Sequence, residues 1–367
     1  MSIEKHQSIG YRPLIPRADN FTPRERTPWG GTKIARIYKR WLNLPNDLVI
    51  GESWEISGHP KFPTIFDNLG ENGQQAIALP KLLDEFAEEI LGKTISKKFN
   101  RQIPILIKLL DAADNLSVQV HPADGDKILK PGEMGKTEAW YILDAEPGSG
   151  IYLGFKPHVT LEELREALFQ AVDISHYLNF VQVKPGDIYF IPAGTIHAIG
   201  KGVTLLEPQQ TSETTYRFWD WNRKYNQNGE PDPSGNPRPL HADESFAVTN
   251  FDGQRGQAFV RQVKGIPRLQ QQSEGNMEFL LLHKKHFVIE KVLLNTPEEF
   301  CLSKPTVFQA VTIVRGEVNL IYEFAGKIET LALPIGQSAL IPAGIATYTF
   351  QRKSTEPAEI IKVRYPI

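Results

Sequence analysis

Two histidines, a glutamine and a glutamate are the residues in this chain whose types and spacing can converge on a divalent metal ion. In Leu116-Ser-Val-Gln-Val-His-Pro122 polar and apolar residues alternate. Ser117, Gln119 and His121 therefore share one face of a strand, and Val118 and Val120 the other. A serine, an amide and an imidazole inside a Val-rich strand need partners if they are buried. Glu138 opens a further strand, with Lys136 on its face by the same parity, and His197 follows Pro192-Ala-Gly194 at the mouth of another. Gln119, His121, Glu138 and His197 together offer an amide oxygen, two imidazole nitrogens and a carboxylate, a set that suits zinc or another borderline divalent ion. Each has a plainer reading as well. Either histidine can be structural, Gln119 a hydrogen-bonded core amide, and Glu138 a surface charge beside Lys136. No compact motif such as paired Cys-x-x-Cys is present, so spacing alone leaves both readings open.

A second cluster runs from Glu207 through Glu213 to Arg217-Phe-Trp219. Alternation puts Thr215, Arg217 and Trp219 on one face, with Tyr216 and Phe218 on the other. In a pocket with Lys108 and Lys136, Arg217 would bind an anion or stabilise developing enolate charge; at a surface it would stack on its aromatic neighbours. Lys108 interrupts the apolar run Ile103-Pro-Ile-Leu-Ile-Lys-Leu-Leu110, so it must reach solvent, pair or meet a ligand. Glycine-rich phosphate cradles of the Gly-x-Gly-x-x-Gly and Gly-x4-Gly-Lys-Ser/Thr kinds are absent. Gly51-Glu-Ser-Trp54 is only the first half of a nucleophile elbow.

The elements that must position these residues are mainly strands. The 28 glycines and 27 prolines punctuate short β-rich runs. Such runs are expected at residues 103–110, 116–121, 138–143, 187–192 and 203–206, and again at 259–263, 279–282, 287–293, 307–314, 317–322 and 360–363. Helical periodicity is confined to residues 80–91, with Leu82, Leu83, Phe86, Ala87 and Ile90 on one stripe, and to 160–169. There Thr160 can cap the helix with Glu163 as its box partner. This balance predicts sandwich or barrel modules with small helical decorations.

Composition limits the partners. With 41 basic and 43 acidic side chains the formal charge is -2, so no global field recruits nucleic acid or anionic lipid. The lone Cys301 excludes an intramolecular disulfide. No charged-then-apolar leader and no long apolar run is seen, so a cytoplasmic protein with no membrane partner is expected.

An internal similarity sharpens the expected organisation. Gly186-Asp-Ile-Tyr-Phe-Ile-Pro-Ala-Gly194 returns as Gly336-Gln-Ser-Ala-Leu-Ile-Pro-Ala-Gly344, with Thr347 where the first copy has His197. Two β-modules of similar build are expected, residues 1–245 holding any metal site and residues 246–367 being metal-free.

In the order Trp29-Gly-Gly31, Gly51-Glu-Ser-Trp-Glu-Ile-Ser57, Lys108, Gln119-Val-His-Pro122, Gly135-Lys-Thr-Glu138, Pro192-Ala-Gly-x-x-His197 and Glu207 to Arg217, the chain resembles the type I phosphomannose isomerases of the cupin superfamily, in their shorter bacterial form. The resemblance implies two cupin-like β-barrel or jelly-roll modules. It implies metal ligation by Gln119, His121, Glu138 and His197, with one divalent ion per chain, expected to be Zn2+. It also implies reversible isomerisation of mannose 6-phosphate and fructose 6-phosphate through a cis-enediol(ate). Arg217, Glu207 and Lys136 would then be catalytic, and Lys108, Ser117 and Glu213 would bind the hexose 6-phosphate. Glu213 stands where many longer members carry aspartate, so its charge reaches one methylene further. A monomer or weak homo-oligomer is expected. The alternatives are a related sugar isomerase, a metal-dependent oxygenase of the same superfamily, and a non-enzymatic sugar-binding protein.

Overall fold

Residues rich in Val, Ile and aromatics form the strands expected of them, and the structure, a computed structural model, describes residues 9–67, 69, 76–302 and 304–367. The first part of the chain forms β1 (Glu52–Ile56), β2 (Ile65–Phe66), β3 (Ile77–Ala78), β4 (Ile105–Asp111), β5 (Val118–Val120) and β6 (Glu138–Ala145). It continues with β7 (Gly150–Phe155), β8 (Leu178–Gln182), β9 (Ile188–Ile191), β10 (His197–Ile199), β11 (Val203–Gln210) and β12 (Tyr216–Trp219). The second part forms β13 (Arg268–Ser273), β14 (Asn276–His283), β15 (Val288–Leu294), β16 (Phe300–Leu302) and β17 (Gln309–Arg315). It ends with β18 (Val318–Phe324), β19 (Lys327–Leu333), β20 (Ser338–Ile341), β21 (Tyr348–Arg352) and β22 (Ala358–Arg364). The α-helices are α1 (Leu79–Leu91), α2 (Lys93–Lys98), α3 (Leu161–Phe169), α4 (Ala242–Val248) and α5 (Gly256–Val263). None of the described helices is long and apolar enough to cross a membrane.

Strand order repeats along the chain. One sheet of the first part reads β1-β4-β11-β6-β9 and one of the second β13-β14-β15-β22-β17-β20. Their facing sheets read β12-β5-β10-β7-β8 and β16-β21-β18-β19. The cores β4-β11-β6-β9 and β15-β22-β17-β20 correspond strand for strand, as do β5-β10-β7-β8 and β16-β21-β18-β19. The two Pro-Ala-Gly copies follow β9 and β20, each an outer strand of its sheet. Register extends the match: Glu138 pairs with Ile191, and Gln309 with Ile341.

The expectation of closed barrels or jelly rolls is overturned. Among the described residues every sheet is open, with two outer strands and no ladder joining them. Three of the outer strands are met instead by single bridges from extended segments: Phe21 on Ser53 of β1, Lys264 on Tyr189 of β9, and Leu14 on Leu340 of β20. Such cover protects an edge without closing the sheet. A second correction concerns residues 259–263, read as a strand. They belong to helix α5, because Phe259, Val260 and Val263 are buried at helical spacing. The capped helix α3 is as expected: Thr160 Oγ1 accepts from the Glu163 amide at 3.1 Å, and Glu163 Oε2 accepts from the Thr160 amide at 2.8 Å.

Alternation along β4 explains how the site is aimed. Ile105, Ile107 and Leu109 enter a core shared with α1 and with β15, β17 and β22. Leu110 enters the core between the facing sheets of the first part, and Lys108 points to that same side. Likewise Ala139 and Tyr141 of β6 face the shared core, while Trp140 and Ile142 face inward alongside Glu138. Across the gap Val118, Val120 and Ala198 pack outward with α3, which leaves Gln119 and His197 inward.

Candidate active site

The residue after β5 and the inward faces of β6 and β10 bring His121, Glu138 and His197 together, with ligating atoms all within 4.8 Å of one another. All three are buried. His121 Nε2 lies 3.3 Å from Glu138 Oε2, and His197 Nε2 lies 3.2 Å from Glu138 Oε1. Each imidazole is oriented from behind. His121 Nδ1 donates to the Thr214 carbonyl at 3.0 Å, and His197 Nδ1 donates to the Thr195 carbonyl at 2.8 Å. With Nδ1 protonated, both Nε2 lone pairs face the carboxylate. Burial, with Lys136 adding repulsion, pushes His121 down to about 3, and burial also lowers His197. Both rings are thus held neutral, as metal ligation requires.

The donor set fits a divalent cation. Glu138 Oε1 is buried with no hydrogen-bond partner among the described residues, and the neutral His197 imidazole lies 3.2 Å from it. Burial opposes ionisation of Glu138, yet the Lys136 ammonium in contact with it holds its carboxyl well below the usual carboxylate range. An ionised, unsatisfied carboxylate facing lone pairs is a cation's environment. Among the described residues this is the only group of three such ligands so close together. In the second part Gln309 takes the register position of Glu138 and accepts a hydrogen bond from the Tyr348 hydroxyl, while Thr347 is exposed.

Above the cluster lies a cavity of about 260 Å³. Gln119, paired with His197 across β5 and β10, places its amide nitrogen 3.3 Å from His197 Nε2, and its oxygen accepts from Ser117 Oγ at 3.3 Å. Both residues line the cavity. Lys136 touches Glu138, approaches His121 Nε2 at 3.0 Å and lies 3.9 Å from Glu207 Oε1. Lys108 lies 3.7 Å from Glu52 and 3.8 Å from Glu207, with its ammonium 4.6 Å from the Trp54 ring centroid. Glu207 is buried and accepts from the Trp140 indole at 3.3 Å. Burial and then the Glu138 charge push its carboxyl up to about 7.

Arg217, opposite Gln119 in register, also lines the cavity; its Nη1 donates to the Pro239 carbonyl at 2.7 Å. Glu213 sits at the rim between two cations, 2.7 Å from Arg26 and in contact with Lys61. Trp219 departs from the expected face. A bulge between Arg217 and Trp219 turns its ring onto Trp221 and into the outer core. Sequence reasoning missed Glu52, Trp54, Trp140, Arg26 and Arg238. Trp140 had a signal, being two residues beyond Glu138 on the same face. Arg238 had none, because it lies in a loop.

This geometry agrees with the comparisons. The profile described as phosphomannose isomerase type I, catalytic domain, matches residues 23–148. Mannose-6-phosphate isomerase ManA of Bacillus subtilis is 32% identical over 318 residues, 84% of this chain and 90% of that protein. The chain belongs to the type I phosphomannose isomerase family. A mannose-6-phosphate isomerase of Streptococcus mutans is 39% identical over 220 residues, 60% of this chain and 63% of that protein, so the match spans less than two thirds of that relative. The crystal structure of the mannose 6-phosphate isomerase from Bacillus subtilis superposes with a TM-score of 0.72 at 27% identity, covering 96% of this chain and 98% of that one.

Proposed function

We propose that this type I phosphomannose isomerase interconverts mannose 6-phosphate and fructose 6-phosphate at the His121–Glu138–His197 cluster. The observation that carries the reading is the convergence of two neutral imidazoles and an ionised buried carboxylate beneath a cavity lined by lysine, glutamate and arginine. The ion they would hold is Zn2+, with the Gln119 amide turned so that its oxygen completes the set. When bound, it supplies Lewis-acid polarisation of the sugar oxygens. Glu207 is the proposed base. Its carboxylate faces the cavity and is fixed by the Trp140 indole, so it can take the proton from C2 and return it to C1 on the same face. Lys136 holds Glu138 ionised and offsets the charge of Glu207. Arg217 stabilises the enediolate. Lys108 and Ser117 contact the sugar, and Glu213 orders the rim through Arg26 and Lys61. The lone Cys301 accords with a cytoplasmic setting.

Steady-state kinetics on mannose 6-phosphate, fructose 6-phosphate, glucose 6-phosphate and free mannose test the reading. Efficient interconversion of the first two is expected, with free mannose disfavoured by several powers of ten in kcat/KM. Comparable efficiency on free mannose contradicts the phosphate requirement. Efficient conversion of glucose 6-phosphate contradicts the assigned specificity.

A further inference from the structure

We infer that Arg238 is the residue that recognises the substrate's phosphate group, and that Asp220 is its positioning residue. The inference rests on the proposed reaction and adds a specificity-determining side chain outside the strands that carry the metal ligands.

Charge balance differs between the two sides of the cavity. Lys108 and Lys136 are matched by Glu52, Glu138 and Glu207, so that wall has no cation to spare. The opposite wall differs. Arg217 and Arg238 line it with Arg223 close by, and burial followed by repulsion from Arg238 lowers Arg217 to about 10. Asp220 faces all three, and the exposed Asp114 reaches only Arg223, at 3.0 Å. Three guanidiniums thus meet two carboxylates, with the Tyr225 ring beside Arg223 and Arg238. Arg217 Nε is buried with no hydrogen-bond partner among the described residues. Donor capacity and positive charge both exceed what the protein itself satisfies on this side.

Geometry singles out Arg238 within the group. Its Nε donates to Asp220 Oδ2 at 2.7 Å and its Nη2 to Asp220 Oδ1 at 2.6 Å, which fixes the guanidinium plane. Arg223 Nη2 shares the same Oδ1 at 2.7 Å. The remaining Arg238 nitrogen, Nη1, is free of these contacts, and the side chain lines the cavity at 16% exposure. A planar fork locked on one edge and open on the other is preorganised for a phosphate oxygen, and loses little freedom on binding. Arg26 at the far rim is less suited. It is 34% exposed, its charge is met by Glu213, and it stacks near Trp54 and Phe62. Binding energy from a phosphate held at Arg238, remote from C1 and C2, would orient the reacting end of the sugar.

The test uses the metal-replete full chain and the variants Arg238→Met, Arg238→Lys and Arg26→Met. Two readouts are taken: steady-state kinetics on mannose 6-phosphate, and titration calorimetry with inorganic phosphate as the probe. Arg238→Met should raise KM about 10- to 100-fold, with the loss mainly in KM rather than kcat, and should weaken phosphate binding by a similar factor. Arg238→Lys should recover part of both, and Arg26→Met should change phosphate affinity far less. Metal content and melting temperature of each variant identify misfolding, and if Arg238→Met misfolds then Arg238→Lys carries the same comparison with a smaller shift. Unchanged KM and phosphate affinity in a folded Arg238 variant overturn the inference, as does a larger loss in Arg26→Met. If no sugar phosphate is turned over but phosphate binding is still lost in Arg238→Met, the anion site stands and the reaction assignment fails.

Discussion

Lys39→Met should destabilise the protein more than most single changes, because it strands a charge between the two strand repeats. Lys39 is fully buried, and its ammonium lies 2.8 Å from Glu55 Oε2 and donates to the Gly336 carbonyl at 2.5 Å. Glu55, on β1, also accepts from Ser53 Oγ at 2.7 Å and from Ser338 Oγ of β20 at 3.1 Å. The same strand turns Trp54 toward the Lys108 ammonium, so one face of β1 serves the cavity and the other grips the second repeat. Gly336 must remain glycine for this contact: its φ is +75°, and a Cβ would fall 1.9 Å from the Tyr38 carbonyl oxygen. Removing one partner of a buried ion pair costs about 3–5 kcal/mol. At about 2.1 cal/mol/K per residue, 367 residues give an unfolding entropy of about 0.8 kcal/mol/K. The expected fall in melting temperature is therefore about 4–6 °C. Differential scanning calorimetry of Lys39→Met, Glu55→Gln and the double variant provides the assay. The double variant should lose less than the sum of the singles. A melting point within about 1 °C of wild type for Lys39→Met, or strictly additive losses, would refute the reasoning.

Three further outcomes are expected. His197→Ala should lower bound divalent metal, read by elemental analysis, far more than Thr347→Ala, since Thr347 is exposed and the second repeat presents Gln309 and Tyr348 instead. Glu207→Gln should reduce kcat about 10²- to 10⁴-fold with metal content retained; wild-type turnover in that variant would move the base elsewhere. Asp220→Asn should cost stability that depends on pH. Burial opposes ionisation of Asp220, but Arg238 and Arg223 hold its carboxyl below the ordinary value of 3.8. A depressed carboxylate stabilises the fold above the unfolded value and loses that contribution as pH falls through the folded one. The gap between wild type and Asp220→Asn in chemical denaturation should therefore be full at pH 6 and shrink below about pH 4; a gap that widens on acidification would contradict the assignment.

Much of the site was legible because strand periodicity is short-range. Parity alone put Ser117, Gln119 and His121 on one face and joined Lys136 to Glu138, and both hold in the structure. The two Pro-Ala-Gly copies follow β9 and β20, which hold corresponding places in their sheets. What failed did so for long-range or local-geometry reasons. Sheet closure depends on whether outer strands meet each other, and here single bridges from Leu14, Phe21 and Lys264 cover three of them, which no local pattern encodes. The bulge after Arg217 broke the parity that should have kept Trp219 at the cavity. The five-residue run at 259–263 was too short to separate strand from helix. Arg238 reaches the cavity through its loop and through Asp220, a contact set by tertiary packing.

The most direct measurement is the conversion of mannose 6-phosphate to fructose 6-phosphate, followed by NMR, as metal is stripped from the full chain and restored by titration with Zn2+. The cluster of His121, Glu138 and His197 predicts that activity disappears with the metal, returns in proportion to added ion and saturates at about one ion per chain. Full isomerisation by protein shown to be metal-free would contradict the account.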